Sequence, residues 1–236
     1  MRNMKLYKTL LIGLGCYCMV ASAEGQGTFL NLDFESANVS GYPPSSGGVP
    51  ISAALPGWSA YFGSNQTTVV SYDAISIGGA VISIVDRNVS IPSFGPIKGN
   101  YSAYLFGGGD LVLSSATISQ TAVVPNGTQS LLMDAKVSGA SFVVTLGGQE
   151  ISMVPLQVFP NYTTYGGDIS AFSGQLETLN FTIPPASGVQ PSMFKLDDII
   201  FSDQAIPEPG LFGLSGLGVL LLGWRVLARR LCLRSA

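Results

Sequence analysis

Between residues 24 and 208 the side chains that could do chemistry are carboxylates and aromatic rings. The chain has no histidine, and its three cysteines, Cys16, Cys18 and Cys232, fall outside that stretch. A Ser-His-Asp triad, a thiolate nucleophile and an imidazole or thiolate metal site are therefore excluded from the body. A glycosidase needs two acids facing one another across a sugar, about 5–9 Å apart. Asp197 and Asp198 are adjacent, so on a regular strand they point to opposite faces and cannot form that pair together. Asp110 follows three glycines, but no phosphate-loop Lys-Ser/Thr comes after it. The expectation is a body without catalysis.

Aromatic rings offer a different chemistry, because the C–H face of a sugar packs on a flat ring beside hydrogen-bonding groups. The rings available include Trp58, Tyr61, Tyr72, Tyr101, Tyr104, Tyr162 and Tyr165. Trp58 follows Pro56-Gly57 and reads as core. Tyr162 and Tyr165 sit in a polar, glycine-flanked segment and are the candidate ligand platform. Another pattern concerns asparagine. Seven of the eight in the body, Asn38, Asn65, Asn88, Asn100, Asn126, Asn161 and Asn180, stand in Asn-x-Ser/Thr. They read either as glycan acceptors or as turn residues.

The elements that must position these side chains read as strands. Helical periodicity is nearly absent from residue 24 to 203, and short β-rich runs alternate with Gly, Pro, Asn and Ser clusters. Strands are expected at 28–34, 67–72, 80–85, 101–106, 117–124, 130–136, 142–146, 151–158, 176–183 and 194–201. Phe142, Val144 and Leu146 would share one face, as would Leu179, Phe181 and Ile183. Phe194, Leu196 and Ile200 would share another, with Asp198 as its polar exception. Pro125-Asn126-Gly127 suits a tight connection, and the Gly-, Pro- and Ser-rich stretch 36–56 reads as a surface loop. This is one all-β domain of sandwich type, residues 24–205.

Charge narrows the partners. All fourteen acidic residues lie between Glu24 and Glu208, against only Arg87, Lys98, Lys136 and Lys195, a net charge of −10 for the body. Nucleic acid is excluded as a partner, since no basic footprint exists to neutralise phosphates.

The ends speak of export. Arg2, Lys5 and Lys8 precede an apolar run from Thr9 to Val20, and Ala21-Ser22-Ala23 supplies the small-x-small pattern of a signal-peptidase site. Residues 1–23 are expected to be a signal peptide, cleaved at Ala21 and Ala23, since the run is shorter than the ~20 residues of a spanning helix. At the other end Pro207-Glu208-Pro209 breaks the chain, a glycine-rich apolar segment follows, and Arg225, Arg229, Arg230 and Arg234 close it. The segment can span as a transmembrane helix over 211–228 if Arg225 snorkels, and the arginines hold the terminus in the cytoplasm.

This tail, residues 206–236, resembles the PEP-CTERM sorting signal of Gram-negative bacteria, in which the motif, one helix and a basic end come in this order. The resemblance implies an exosortase-type processing enzyme as partner. It also implies an inner-membrane-anchored precursor, release to the cell surface or extracellular matrix, and an association with exopolysaccharide. A plain C-terminal anchor is the competing reading.

The body, through Asn31-Leu32-Asp33-Phe34-Glu35, Leu55-Pro56-Gly57-Trp58, Ile118-Ser119-Gln120-Thr121 and Phe194–Phe201, resembles galactose-binding-like jelly rolls, including carbohydrate-binding modules. That resemblance implies a jelly-roll β-sandwich and polysaccharide or matrix binding. It further implies a structural calcium joining the first and last strands through Glu35, Asp197 and Asp198, because calcium takes several oxygen ligands. A purely structural or adhesive surface protein and a carbohydrate-active enzyme are the alternatives.

Overall fold

A computed structural model describes residues 27–75, 79–89, 94–108, 114–139, 141–185 and 192–206. The signal-peptide site at Ala21 and Ala23, the Pro207-Glu208-Pro209 motif, the span 211–228, the arginine cluster and Asp110 lie outside these residues. Among the described residues no helix is long and apolar enough to cross a membrane.

Among the described residues fourteen strands build the body: β1 (Ser46–Pro50), β2 (Ser59–Phe62), β3 (Asn65–Thr67), β4 (Val69–Tyr72), β5 (Val81–Val85), β6 (Ser102–Gly107), β7 (Ala116–Val123), β8 (Ser130–Ser138), β9 (Val143–Leu146), β10 (Gln149–Glu150), β11 (Val154–Val158), β12 (Thr163–Asp168), β13 (Leu176–Ile183) and β14 (Ser192–Ser202). One helical turn, α1 (Ile51–Ala54), follows β1. The strands form an eight-stranded sheet in the order β1-β4-β5-β6-β14-β8-β12-β11 and a six-stranded sheet in the order β10-β9-β13-β7-β2-β3. Every pairing is antiparallel except β4 with β5.

Alternation along the strands explains why the two sheets face one another. Ile82, Ile84, Leu105, Met133, Phe194 and Leu196 from the large sheet meet Ile118, Val144, Leu146, Leu179, Phe181 and Ile183 from the small one, all buried in one core. Trp58 is buried there too, beside Phe34 and Phe181, as its position after Pro-Gly predicts. Phe142 is half-buried rather than buried, but stacks flat on Phe194 at 4.8 Å, so its place on the core side is as expected.

Strands β2, β3, β10 and β12 are not among those expected, and three further elements depart from expectation. Residues 28–34 make no strand, because Asn31 and Phe34 take positive φ of 51° and 58°, which no β-ladder accommodates. Side chains do the pairing instead. The Gln120 amide bonds both the N–H (2.5 Å) and the carbonyl (3.0 Å) of Leu30, and the Trp58 indole donates to the Asn31 carbonyl. The stretch 36–56 is not loop throughout, since it holds β1 and α1.

The third departure decides the site. A bulge interrupts the pairing of β14 with β8: Asp197 lies opposite Asp134, but the next partner pair is Ile200 with Leu132, and Asp198 takes φ +50°. The extra residue reverses the alternation. Ile199 (3% exposed) therefore enters the core, and Ile200 (46% exposed) leaves the face it was expected to share with Phe194 and Leu196. This makes a direct prediction. Ile199→Ala should destabilise the fold by about 2–5 kcal/mol, the range for buried aliphatic truncations. Ile200→Ala should stay within about 0.5 kcal/mol, as surface changes do. Chemical denaturation of the two variants measures both, and equal costs would contradict the bulge.

Candidate functional site on the outer face of the large sheet

Core-facing residues of the eight-stranded sheet leave every second side chain on the opposite, outer face. There Ser83 lies opposite Tyr104, Tyr104 opposite Lys195, and Lys195 opposite Lys136, in one row across four strands. Asp197, Asp134 and Thr164 form the next row. The segment 94–101 crosses this face and is pinned to it at several points.

Asp197 is the main anchor. It is 2% exposed, and it accepts from the Ser102 hydroxyl (2.6 Å), the Lys98 backbone N–H (3.0 Å) and the Asp198 N–H (2.8 Å). Burial pushes its carboxyl up to about 6, against the pull of those three donors. Ser102 is engaged in turn by the Ile97 N–H at 2.8 Å. Lys195 donates to the Gly95 carbonyl. Glu35 accepts from the N–H groups of Asn100 (2.7 Å) and Tyr101 (3.0 Å) and from the Asn100 amide (2.8 Å). Burial alone would raise the Glu35 carboxyl, but these bonds and Arg87 hold it below its ordinary value. Arg87 itself donates to the Gly99 carbonyl.

Lys98 binds two carboxylates at once, Asp134 at 2.6 Å and Asp198 at 2.6 Å, and those bonds hold its ammonium above the ordinary lysine value. Asp134 also accepts from Thr164 at 2.5 Å. Asp197 and Asp198 thus both address Lys98, one through its backbone and one through its ammonium. The expectation that they point to opposite faces is corrected by the bulge, which breaks the alternation at Asp198.

Glu35, Asp197 and Asp198 are therefore brought to one segment, 97–101, as the expected calcium ligands should be. Their oxygens, however, are taken up by N–H groups, a hydroxyl and an ammonium. Among the described residues no group of three or more His, Cys, Asp or Glu side chains could hold a metal ion. The arrangement does not fit calcium, because Lys98 supplies the positive charge there.

Above this network lies a cavity of about 170 Å³ lined by Phe94, Tyr104, Lys136, Ser138, Met193 and Lys195. Phe94 and Tyr104 meet edge to face at 5.9 Å, and with Val81, Val85, Phe106 and Met193 they form a small apolar cluster separate from the main core. Lys195 is 7% exposed, and burial, then Lys136 beside it, pushes its ammonium down to about 8. Burial raises the Tyr104 phenol, and its hydroxyl has no partner among the described residues.

The expected platform is split. Tyr165 on β12 faces inward against Phe142 at 5.1 Å, among the residues packed on the core. Tyr162 stacks on Phe159 at 4.6 Å, with the Lys98 ammonium 5.7 Å from its ring. Only Tyr162 belongs to this face. Tyr104 and Lys195 were open to discovery from strand alternation, since each is one residue out of phase with the core pattern of its strand.

At the far end of the same sheet, Tyr72 donates to Asp86 at 2.7 Å, and the Asp86 N–H donates to Asp73 at 2.9 Å. Burial pushes the Asp73 carboxyl up to about 6, whereas bonds from Tyr72 and Asn88 outweigh burial at Asp86 and hold it low.

No family model matches the chain, and no curated protein matches it. Several solved structures are similar, three of them as follows. The apo form of a cyclase from Fischerella sp. is 15% identical over 73% of this chain and 92% of its own, with a TM-score of 0.44. A cyclase from Fischerella sp. TAU is 16% identical over 74% and 94%, with a TM-score of 0.43. TmCBM61 in complex with beta-1,4-galactotriose is 14% identical over 74% and 97%, with a TM-score of 0.40. Similarity at that level leaves the site to be argued from its own geometry.

Two outcomes are expected. Asp197 carries a raised carboxyl, so between its ordinary 3.8 and about 6 the folded chain holds a proton that the unfolded chain has lost. Its contribution is full below that window and is lost as pH rises through about 6. Over the same window the stability of the native chain should fall more steeply than that of Asp197→Asn, and parallel profiles would sink the assignment. Millimolar calcium should leave the melting temperature unchanged, since a ligand stabilises only what it binds. A clear upward shift would restore a calcium site at Glu35, Asp197 and Asp198.

Proposed function

We propose that this chain is an exported envelope protein whose non-catalytic body binds extracellular polysaccharide on the outer face of its large sheet. The observation that carries the binding reading is the cavity on that face. Two aromatic rings, a methionine, two lysines and two hydroxyls converge on it, which is how protein sites combine apolar contact with a few placed polar groups. The two-sheet sandwich supports a jelly-roll assignment, and the absence of histidine and cysteine from the body supports a role without catalysis.

Export rests on the two ends. The basic, apolar and small-residue sections of 1–23 support a cleaved signal peptide. Pro207-Glu208-Pro209, the apolar segment after it and Arg225, Arg229, Arg230 and Arg234 support a sorting tail. On this reading the precursor sits in the inner membrane with its body outside. An exosortase-type enzyme removes the tail, and the body passes to the cell surface or matrix.

A structural or adhesive role is the second reading. One observation favours it: edge strand β11 exposes Leu156 (42%) and Val158 (76%) beside unpaired backbone groups.

Protein recovered from its native host should have lost everything after about Pro209, and an intact terminus at Ala236 would reduce the tail to a plain anchor. The full-length chain in detergent should bind at least one polysaccharide from a panel of acidic and neutral polymers in a sedimentation assay. Failure across the panel would favour the adhesive reading.

A further inference from the structure

Lys195 on β14 is the cross-strand partner of Lys136 on β8, so two ammonium-bearing side chains stand side by side on the outer face. Like charges directly opposite in a sheet repel, and the repulsion grows where one of them is withdrawn from water, as Lys195 is. These are two of only four basic residues in a body with fourteen acids. Of the other two, Arg87 bonds the Gly99 carbonyl and Lys98 pairs with Asp134 and Asp198, while Lys195 itself donates to the Gly95 carbonyl, a hydrogen bond that carries no neutralising charge. Among the described residues no carboxylate pairs with Lys136 or Lys195. Asp197, two residues along on the same face, is turned to Ser102 and to the Lys98 backbone. The Asp197 charge offsets part of the repulsion at Lys195, but neither lysine forms an ion pair with a carboxylate among the described residues, in a chain with acids to spare.

The two lysines border the cavity of about 170 Å³. A second observation points the same way. Tyr104, a residue 1% exposed, lines that cavity, and its buried hydroxyl has no partner among the described residues. Buried polar groups are nearly always paired, so this one calls for a ligand atom or a water. The walls are apolar on one side, Phe94, Tyr104 and Met193, and Lys136 and Ser138 stand exposed at the mouth. A cavity below the ~300–1,000 Å³ of drug-sized pockets suits one small ring.

We propose that the cavity recognises a single uronic acid unit of an extracellular polysaccharide, its carboxylate between Lys136 and Lys195 and its C–H face on the Phe94 and Tyr104 rings. This rests on the polysaccharide-binding reading above and names the class of sugar. The sugar hydroxyls meet the Tyr104 and Ser138 hydroxyls, and the anion relieves the repulsion between the lysines. A neutral sugar offers no such relief, and an inorganic anion makes no use of the rings.

The test is calorimetric titration of the full-length chain in detergent with methyl glucuronide, methyl glucoside and inorganic phosphate. Methyl glucuronide should bind saturably. Lys136→Gln, at an exposed position that leaves folding intact, and Lys195→Met, which keeps the buried length without the charge, should each weaken it by about tenfold or more, as loss of a charged hydrogen bond does. Methyl glucoside should bind at least about tenfold more weakly by the same measure. Equal binding of phosphate would reduce the site to a general anion site and overturn the sugar assignment. Absence of glucuronide binding, or an unchanged Lys136→Gln, would overturn it as well. Sedimentation with acidic polysaccharide separates the two levels: wild-type binding retained in both variants removes this cavity but keeps the polysaccharide reading, whereas no wild-type binding removes both.

Discussion

The Asp197 carboxylate fixes the outer face of the large sheet, and the site beside it depends on that one group. A bulge in a central strand leaves backbone N–H groups off the ladder, and a carboxylate is a strong acceptor for them. Asp197 accepts the N–H of the bulged residue itself, Asp198, and then reaches across to the Lys98 N–H and the Ser102 hydroxyl. One side chain thus satisfies the irregular strand and ties down the segment that crosses over it. That segment begins with Phe94 and Gly95, which give the cavity a wall and Lys195 its carbonyl partner. Taking such a group out of water is costly unless its bonds are complete, which is why three donors converge on it.

Charge is distributed along the same logic. The body is strongly acidic, and its few cations are concentrated where the segment 94–101 meets the sheet. Lys98 neutralises Asp134 and Asp198, and Arg87 closes the turn at Gly99. Gly99 has φ +53°, and an added methyl group would run into the Glu35 carboxylate, so the turn is closed from both sides. Lys195 pins the segment at Gly95 and, with Lys136, borders an apolar cavity, the placement on which the proposed binding reading rests.

Much of the sandwich was legible in the sequence because strand alternation is a local signal. Strand β13 falls on Leu176–Ile183 as expected, and Leu179, Phe181 and Ile183 share the core face. The N-terminal segment failed because Asn31 and Phe34 adopt positive φ, a conformation dictated by tertiary partners such as Gln120 and Trp58 rather than by propensity. Strand β12 was missed because its Thr-Thr-Tyr-Gly-Gly-Asp sequence lacks an apolar alternation and is held by pairing on both sides. In the site, Glu35, Asp197 and Asp198 each bond to the segment 97–101 without forming a metal cluster among the described residues, and the bulge that turns both aspartates to Lys98 has no signature in residue type. Tyr162 and Tyr165 share a polar, glycine-flanked segment, but Tyr162 precedes β12 and stacks on Phe159, whereas Tyr165 lies on β12 and turns to Phe142.

On the proposed reading, saccharide is recognised on the outer face beside Lys195. Methionine methyl resonances test it most directly, since Met193 lines the cavity while Met133 lies in the core and Met153 packs against it elsewhere. On addition of an acidic oligosaccharide to the methyl-labelled full-length chain, the Met193 signal should shift saturably while those of Met133 and Met153 stay in place. A shift at Met153 with Met193 unmoved, or no shift at any of the three, would contradict the account.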